Sequence, residues 1–367
     1  MPYAHITGWG MAVPETVLTN DDLSKMVDTN DQWIRERTGI RERRIAKEGQ
    51  TTSSLGVEAA LKALKVANLR STDLDLIICS TSTPDYIFPA TACMIQDQIG
   101  ATKAGAFDLL AACTGFIYAI NMAAQAIRSG SINSALVVGA ETLSRFVNWK
   151  DRNTCILFGD GAGAFVLQAS ERSGGVYSAV MHSDGSGGDL LTLAGGGSVN
   201  PATEATVHEG KHFIEMDGKE VFRFATRVMA QATNEALEVA GLTIADLNWI
   251  VPHQANIRII EAAARGLKQP MDKFIVNLDR YGNTSTASIP IATVEAVENG
   301  KIKTGDKFVM VGFGAGLTWG ALTAEWTGPI PSKGQVRPEQ YRALGRVRSF
   351  VRRVIRFIEG IIFRREL

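Results

Sequence analysis

Cys113 has the surroundings in this chain that best suit a nucleophile. Asp108-Leu109-Leu110-Ala111-Ala112-Cys113-Thr114-Gly115-Phe116 joins a short apolar, strand-like segment to a helical pattern at Ile117, Ile120, Ala124 and Ile127. Cys113 then falls near a helix N-terminus, where unpaired N–H groups and the dipole favour thiolate over thiol. Small neighbours let a substrate approach the sulfur. Most free cysteines are instead small buried hydrophobes, and Cys79, Cys93 and Cys155 are read that way.

Two other side chains could serve that sulfur. In Ile250-Val251-Pro252-His253-Gln254-Ala255-Asn256, His253 emerges just past a buried strand, and a helix follows from Asn256. Strand ends of this kind are where α/β active sites collect. In Tyr281-Gly282-Asn283-Thr284-Ser285-Thr286, Asn283 sits in a turn before another helix. His5, His182, His208 and His212 have no comparable setting and are read as surface or structural.

The elements that must hold these residues come in two copies. Ala63–Leu69 and Asp73–Ile78 are matched, both at one constant offset, by Ala236–Leu242 and Asp246–Val251. Eight identities fall in the window from Ala63 to Ser80. Each copy reads as a helix end, a Gly or Asn stop, a turn and a buried strand. Ser129-Gly130-Ser131-Ile132 resembles Asn299-Gly300-Lys301-Ile302 at an offset near 170, and Phe158-Gly159-Asp160-Gly161 resembles Phe313-Gly314-Ala315-Gly316. Three windows in the same order argue for duplicated α/β halves, 1–173 and 174–327. The offset of 170 sets Asn283 opposite Cys113, so a pseudo-twofold would bring the two face to face. Asp184–Gly197 reads as a long Gly-rich loop.

The chain has 367 residues, 45% hydrophobic and 21% charged. That is ordinary globular material, and it excludes whole-chain disorder, collagen and a disulfide scaffold. Its zero net charge hides a split. Residues 328–367 carry ten basic and three acidic side chains, so the tail is +7 and residues 1–327 are −7. An acidic body argues against a nucleic-acid partner. No signal peptide and no span of about 20 apolar residues is present, and the four cysteines are unclustered, which points to a reducing cytoplasm.

Ala112-Cys113-Thr114-Gly115-Phe116, Pro252-His253-Gln254-Ala255-Asn256 and Gly282-Asn283-Thr284-Ser285 together resemble the signature set of the β-ketoacyl-acyl-carrier-protein synthase III family. The resemblance covers about residues 1–327. Elongating condensing enzymes would carry a second His where Asn283 stands, and thiolases a second Cys in Gly312–Gly316. The resemblance implies a thiolase-like fold, two pseudo-symmetric halves layered α-β-α-β-α, and a homodimer. It implies decarboxylative condensation of a short acyl-coenzyme A with malonyl-acyl-carrier protein, with no metal and no cofactor.

Residue by residue, the resemblance makes Cys113 the acyl carrier and His253 and Asn283 the donors to the malonyl thioester oxygen. Backbone N–H groups of Cys113 and Ala315 would form the oxyanion hole. Trp33 and Arg152 would clamp the coenzyme A adenine, with Arg37 on the phosphate side. Phe88 would reach across a dimer interface to close the acyl pocket, and Leu143, Phe158 and Phe313 would line it; a bulky Phe88 implies an acetyl-like primer. Arg223, Arg258 and Arg265 would dock the acidic carrier. A secondary-metabolite condensing enzyme with the same centre is the alternative, and a non-catalytic acyl-binding homologue a third reading. Thr286 and Ala315 depart from the family's commoner Ala and Gly.

Past Trp326 the resemblance ends. Leu344, Val347, Val351, Val354, Ile358 and Ile361 recur at three- and four-residue spacing, opposite Arg342, Arg346, Arg352, Arg353 and Arg356. This reads as a basic amphipathic helix over 338–367. Its apolar stripe would meet a membrane surface or a partner, or the helix would pack on the acidic body; a disordered appendage is the remaining reading, and the apolar periodicity argues against it.

Overall fold

The computed structural model describes residues 1–331 and 334–363; Lys333, Arg364, Arg365 and Glu366 of the basic tail lie outside the described residues. The first sheet has five strands in the order Tyr3–Ala12, Asp160–Ser170, Ser134–Thr142, Leu76–Ser80, Gly105–Leu109. The second has four, Trp249–Pro252, Lys307–Gly314, Thr318–Glu325 and Val176–Ser183. Three parallel strands in the first sheet, and two in the second, lead into antiparallel ones. Leu76 pairs with Ala135 and Trp249 with Phe308, so the two pairings stand at the same offset as Ala63 and Ala236 of the sequence repeat. The fifth strand is reduced in the second sheet to a single bridge, Ile250 to Phe274.

Period-two alternation divides each central strand between two cores. Ile78, Val137, Phe308 and Met310 face a middle layer with the helices Gly115–Arg128 and Ser288–Glu298. Ile77, Cys79, Leu136 and Val138 face outward onto the helices Thr52–Ala67 and Thr91–Ile99. Val309 and Val311 do the same onto Gly218–Ala240 and Ile257–Leu267. The result is helix, sheet, helix, sheet, helix, the thiolase-like arrangement. Strands buried on both faces explain the continuous apolar runs.

Three readings change. Phe158–Gly161 opens the strand Asp160–Ser170, whereas Phe313–Gly316 closes the strand Lys307–Gly314. Gly161 pairs with Glu141 and Thr318 with Gly314, so Thr318 is the true counterpart of Gly161. Asp184–Gly197 is not a plain loop: Leu191–Leu193 pairs antiparallel with Ile214–Met216 in a two-stranded ribbon. Cys93 is exposed, unlike Cys79 and Cys155.

Candidate active site

The two halves present the same turn at the start of the inner helix. Ala112 and Ser285 hold left-handed backbone at φ +47° and +48°. Short 3-10 turns follow, Ala112–Thr114 and Ser285–Ala287, then the helices from Gly115 and Ser288. A non-glycine residue at positive φ costs about 1–3 kcal/mol and persists where surrounding structure over-determines it. The equivalence makes Thr286, not Asn283, the counterpart of Cys113. Asn283 stands shortly before it, at the entry to the turn.

Burial dominates the thiol. It pushes the Cys113 pKa up to about 12, against the smaller pull of the Ser285 hydroxyl, which accepts from Sγ at 3.4 Å. The helix start therefore does not leave a resting thiolate. Ser285 also bonds the buried carboxyl of Glu141, whose pKa burial raises to about 7. Thr81, Thr83 and the Ser82 N–H donate to the same carboxyl.

His253 continues the strand Trp249–Pro252; its N–H donates to Val311 O at 2.8 Å. Burial lowers its pKa to about 3, so the ring is neutral near pH 7. Nδ1 lies 2.6 Å from Ser288 Oγ, and the buried Nε2 has no hydrogen-bond partner. With Ser288 donating to Nδ1, the ring proton sits on Nε2. Asn283 is fixed from three sides. Its N–H donates to Leu157 O at 2.8 Å, its carbonyl accepts from Gly159 N at 3.0 Å, and Oδ1 accepts from Ser285 N at 2.8 Å. With Oδ1 held, the amide NH₂ is the group left to give.

Cys113, His253 and Asn283 line one pocket, with Phe158 and Phe313 as apolar walls and Leu191 and Met216 of the two-stranded ribbon completing it. The Phe313 ring meets His253 edge-on at 5.4 Å. Leu143 does not line the pocket; it is packed beneath Phe158 with Val147 and Ile156. Phe88 is 84% exposed and also lies off the pocket of its own chain. Gly314 presses on the nucleophile: a Cβ there would fall 2.7 Å from Cys113 N. Ala315, the next residue, is half-buried, and its carbonyl accepts from Thr318 Oγ1 at 3.1 Å.

The pocket opens into a wider cleft that shares Leu157, Met216, Phe222 and Asn256 with it. Trp33 and Arg37 stand at this mouth. The Arg37 and Arg152 guanidinium groups each lie 4.7 Å from the Trp33 ring centre, a cation–π distance. Arg152 also donates to Asp28 O at 3.0 Å. A purine between Arg152 and Trp33 thus requires this side chain to swing away. Arg258 lines the mouth over the Phe222 ring; Arg265, on the same helix, and Arg223, on the neighbouring one, are exposed. Arg223 is paired with Glu220 at 2.9 Å.

Sequence reasoning missed Ser285, Ser288 and Glu141. The first two stand in the run Asn283–Ser288 and were open to notice as hydroxyls near a candidate donor. Glu141 carried no local signal, because only strand pairing brings Ser134–Thr142 under the nucleophile turn.

A cysteine at an inner-helix start, beside two neutral donors in a duplicated thiolase-like fold, defines a thiol-dependent condensing enzyme. Comparison with known proteins gives the particular branch. Residues 107–185 match the family model for 3-Oxoacyl-[acyl-carrier-protein (ACP)] synthase III, and residues 237–326 its C-terminal model. The chain is 52% identical over 325 residues to the β-ketoacyl-acyl-carrier-protein synthase III of Roseiflexus sp. (strain RS-1), covering 89% of this chain and 99% of that one. It is 54% identical over 322 residues to that of Desulfitobacterium hafniense (strain DSM 10664 / DCB-2), covering 88% and 97%. The crystal structure of 3-oxoacyl-acyl-carrier-protein synthase III from Aquifex aeolicus superposes with a TM-score of 0.81 at 47% identity, over 88% of this chain and 99% of that one. The chain belongs to the β-ketoacyl-acyl-carrier-protein synthase III family, the condensing acyltransferases of fatty acid synthesis.

Proposed function

We propose that this enzyme joins a short acyl-coenzyme A, with acetyl as the preferred primer, to malonyl-acyl-carrier protein. The Cys113 sulfur attacks the acyl thioester, its S–C bond forms, and coenzyme A leaves with the thiol proton. Backbone N–H groups of Cys113 and Ala315 hold the oxyanion in this step. Malonyl-carrier then loses CO₂, and the enolate oxygen is held by His253 Nε2–H and the Asn283 amide. The enolate carbon attacks the acyl-Cys113 carbonyl, a C–C bond forms, and the freed thiolate takes a proton. The balance needs no metal and no redox cofactor.

One observation carries this reading: a neutral His253 with an unpartnered Nε2 and an Asn283 with its oxygen already engaged share the pocket of Cys113. Neutral donors stabilise a developing enolate without a permanent buried charge. Trp33, Arg37 and Arg152 receive coenzyme A at the mouth, and Arg223, Arg258 and Arg265 receive the acidic carrier.

The working unit is a homodimer in the cytoplasm. The edge strand Gly105–Leu109 lies open beside the exposed Leu110 and the exposed loop Tyr86–Phe88, and unpaired edges invite pairing with another copy. In that assembly Phe88 closes the partner's acyl pocket. No helix among the described residues is long and apolar enough to cross a membrane.

Incubation with radiolabelled acetyl-coenzyme A, then malonyl-carrier, tests the scheme. Label should appear on Cys113 and pass to a β-ketoacyl product. Stable acylation without condensation would reject it. Arg265→Glu, off both the pocket and its mouth, should raise the KM for malonyl-carrier and leave acylation unchanged.

A further inference from the structure

The helix Pro338–Phe363 lies outside the family match, which ends at residue 326. It is tied to the body by its polar side. Asn68 donates to Gly334 O at 3.0 Å and accepts from Val336 N at 2.6 Å, pinning the linker. Gly345 sits on the turn that ends the helix Thr91–Ile99: a Cβ on Gly345 would fall 2.8 Å from Gly100 Cα. One turn on, the Ser349 hydroxyl donates to Asp97. Arg348, Arg352 and Arg356 line the cleft between this helix and the body.

The opposite side carries the apolar residues, and it faces out. Nine large apolar side chains between Leu344 and Ile361 are exposed, with Phe350 at 68% and Phe357 at 70%. At about 3.6 residues per turn they fill an arc of about 160°. Between Ala343 and Ile361 no polar side chain enters that arc. Arg346 and Arg353 border one edge, Arg348 and Arg352 the other. An ordinary surface helix packs its stripe inward; this one is anchored by small and polar residues and displays its stripe.

We infer that the helix is an in-plane anchor that holds the enzyme on an anionic lipid surface. Its apolar face would enter the headgroup–acyl boundary, with the flanking arginines reaching back to the phosphates. Six arginines against two glutamates between Pro338 and Ile361 suit anionic lipid. The −7 body would be repelled by the same surface, so the attraction has to come from the tail. A second copy of the helix fits less well. Leu344, Val347, Val351, Val354, Ile358 and Ile361 keep coiled-coil spacing, but Phe350, Ile355 and Phe357 occupy the flanking positions that such pairs fill with complementary charge.

The full-length enzyme should float with phosphatidylglycerol vesicles, and partition into phosphatidylcholine vesicles at least about tenfold less. High salt should weaken the binding without abolishing it. Phe350→Asp with Phe357→Asp should lower binding at least about tenfold and leave condensation and oligomer mass unchanged; both side chains are solvent-exposed, so the fold does not depend on them. Failure to bind phosphatidylglycerol, or equal binding to both lipids, would overturn the inference. So would a double variant that binds as before, or one that changes the oligomer mass, which would assign the stripe to a second copy.

Discussion

Cys113 with His253 and Thr286 with Ser80 occupy equivalent places in the two halves, since the same offset in sequence separates Cys113 from Thr286 and Ser80 from His253. The strand glycines between the sheets show the equivalence. Gly312 passes His253 Cβ at 3.5 Å and Cys113 O at 3.6 Å, measured from where its own Cβ would lie; Gly139 passes Thr286 O at 2.7 Å. One crossing holds a thiol and an imidazole. Its mirror holds two hydroxyls, with Thr286 donating to Ser80 at 2.8 Å. The backbone is the same, so the fold supplies two crossings and the side chains make one of them a reaction centre. The mirror pair satisfies itself by a hydrogen bond, whereas His253 Nε2 is left open. An unpaired buried donor is costly, and it is kept where a substrate will take the bond.

The two crossings differ most at the nucleophile. Cys113→Ala should abolish the acyl-enzyme in intact-mass measurements. Thr286→Ala should leave turnover within a factor of about two, since no reacting atom meets it. Next come the donors. His253→Ala or Asn283→Ala should slow condensation about 100- to 1,000-fold while sparing acylation; Ser80→Ala should leave the ratio of the two steps unchanged, read by single-turnover kinetics.

A smaller effect separates the glycines. Gly139→Ala drives a Cβ onto the Thr286 carbonyl and should cost about 1–3 kcal/mol in denaturant unfolding. Gly312→Ala meets only ordinary contact distances and should change stability by less than about 0.5 kcal/mol. Equal losses would show that the two crossings are packed alike.

The last effect is in the pH dependence. His253 has a folded pKa near 3, below its ordinary 6.5, so its contribution to stability is present above pH 6.5 and is lost as pH falls towards 3. Glu141 has a folded pKa near 7, above its ordinary 4.5, so its contribution is present below pH 4.5 and is lost as pH rises through 7. Unfolding midpoints across pH 3–9 should show a flatter limb from pH 6.5 down to about 3 in His253→Gln and a flatter limb from pH 4.5 up to about 7 in Glu141→Gln. Their counterparts, Ser80 and Gly314, have no titrating side chain, so Ser80→Ala should leave both limbs unchanged.

The duplication, the three motifs, the amphipathic tail and the alternation of helices with strands can be read from residue order alone, because apolar period and local stop signals are written within each element. Residue order placed Asn283 opposite Cys113 wrongly for a physical reason. The inner helix has 14 residues in one half and 11 in the other, so counting back from the matched ends, Ser129 and Asn299, overshoots Thr286 by that difference. Only tertiary structure could correct that, since equivalence is defined by which strand a turn crosses. The same holds for the burial that keeps the Cys113 thiol and the His253 ring uncharged, and for Ser285 and Glu141 beneath the sulfur, all of which depend on chain segments far away in sequence. It holds for the tail too. Residue spacing displayed two faces, but only its docking on Asp97 and Gly100 decided which of them meets solvent.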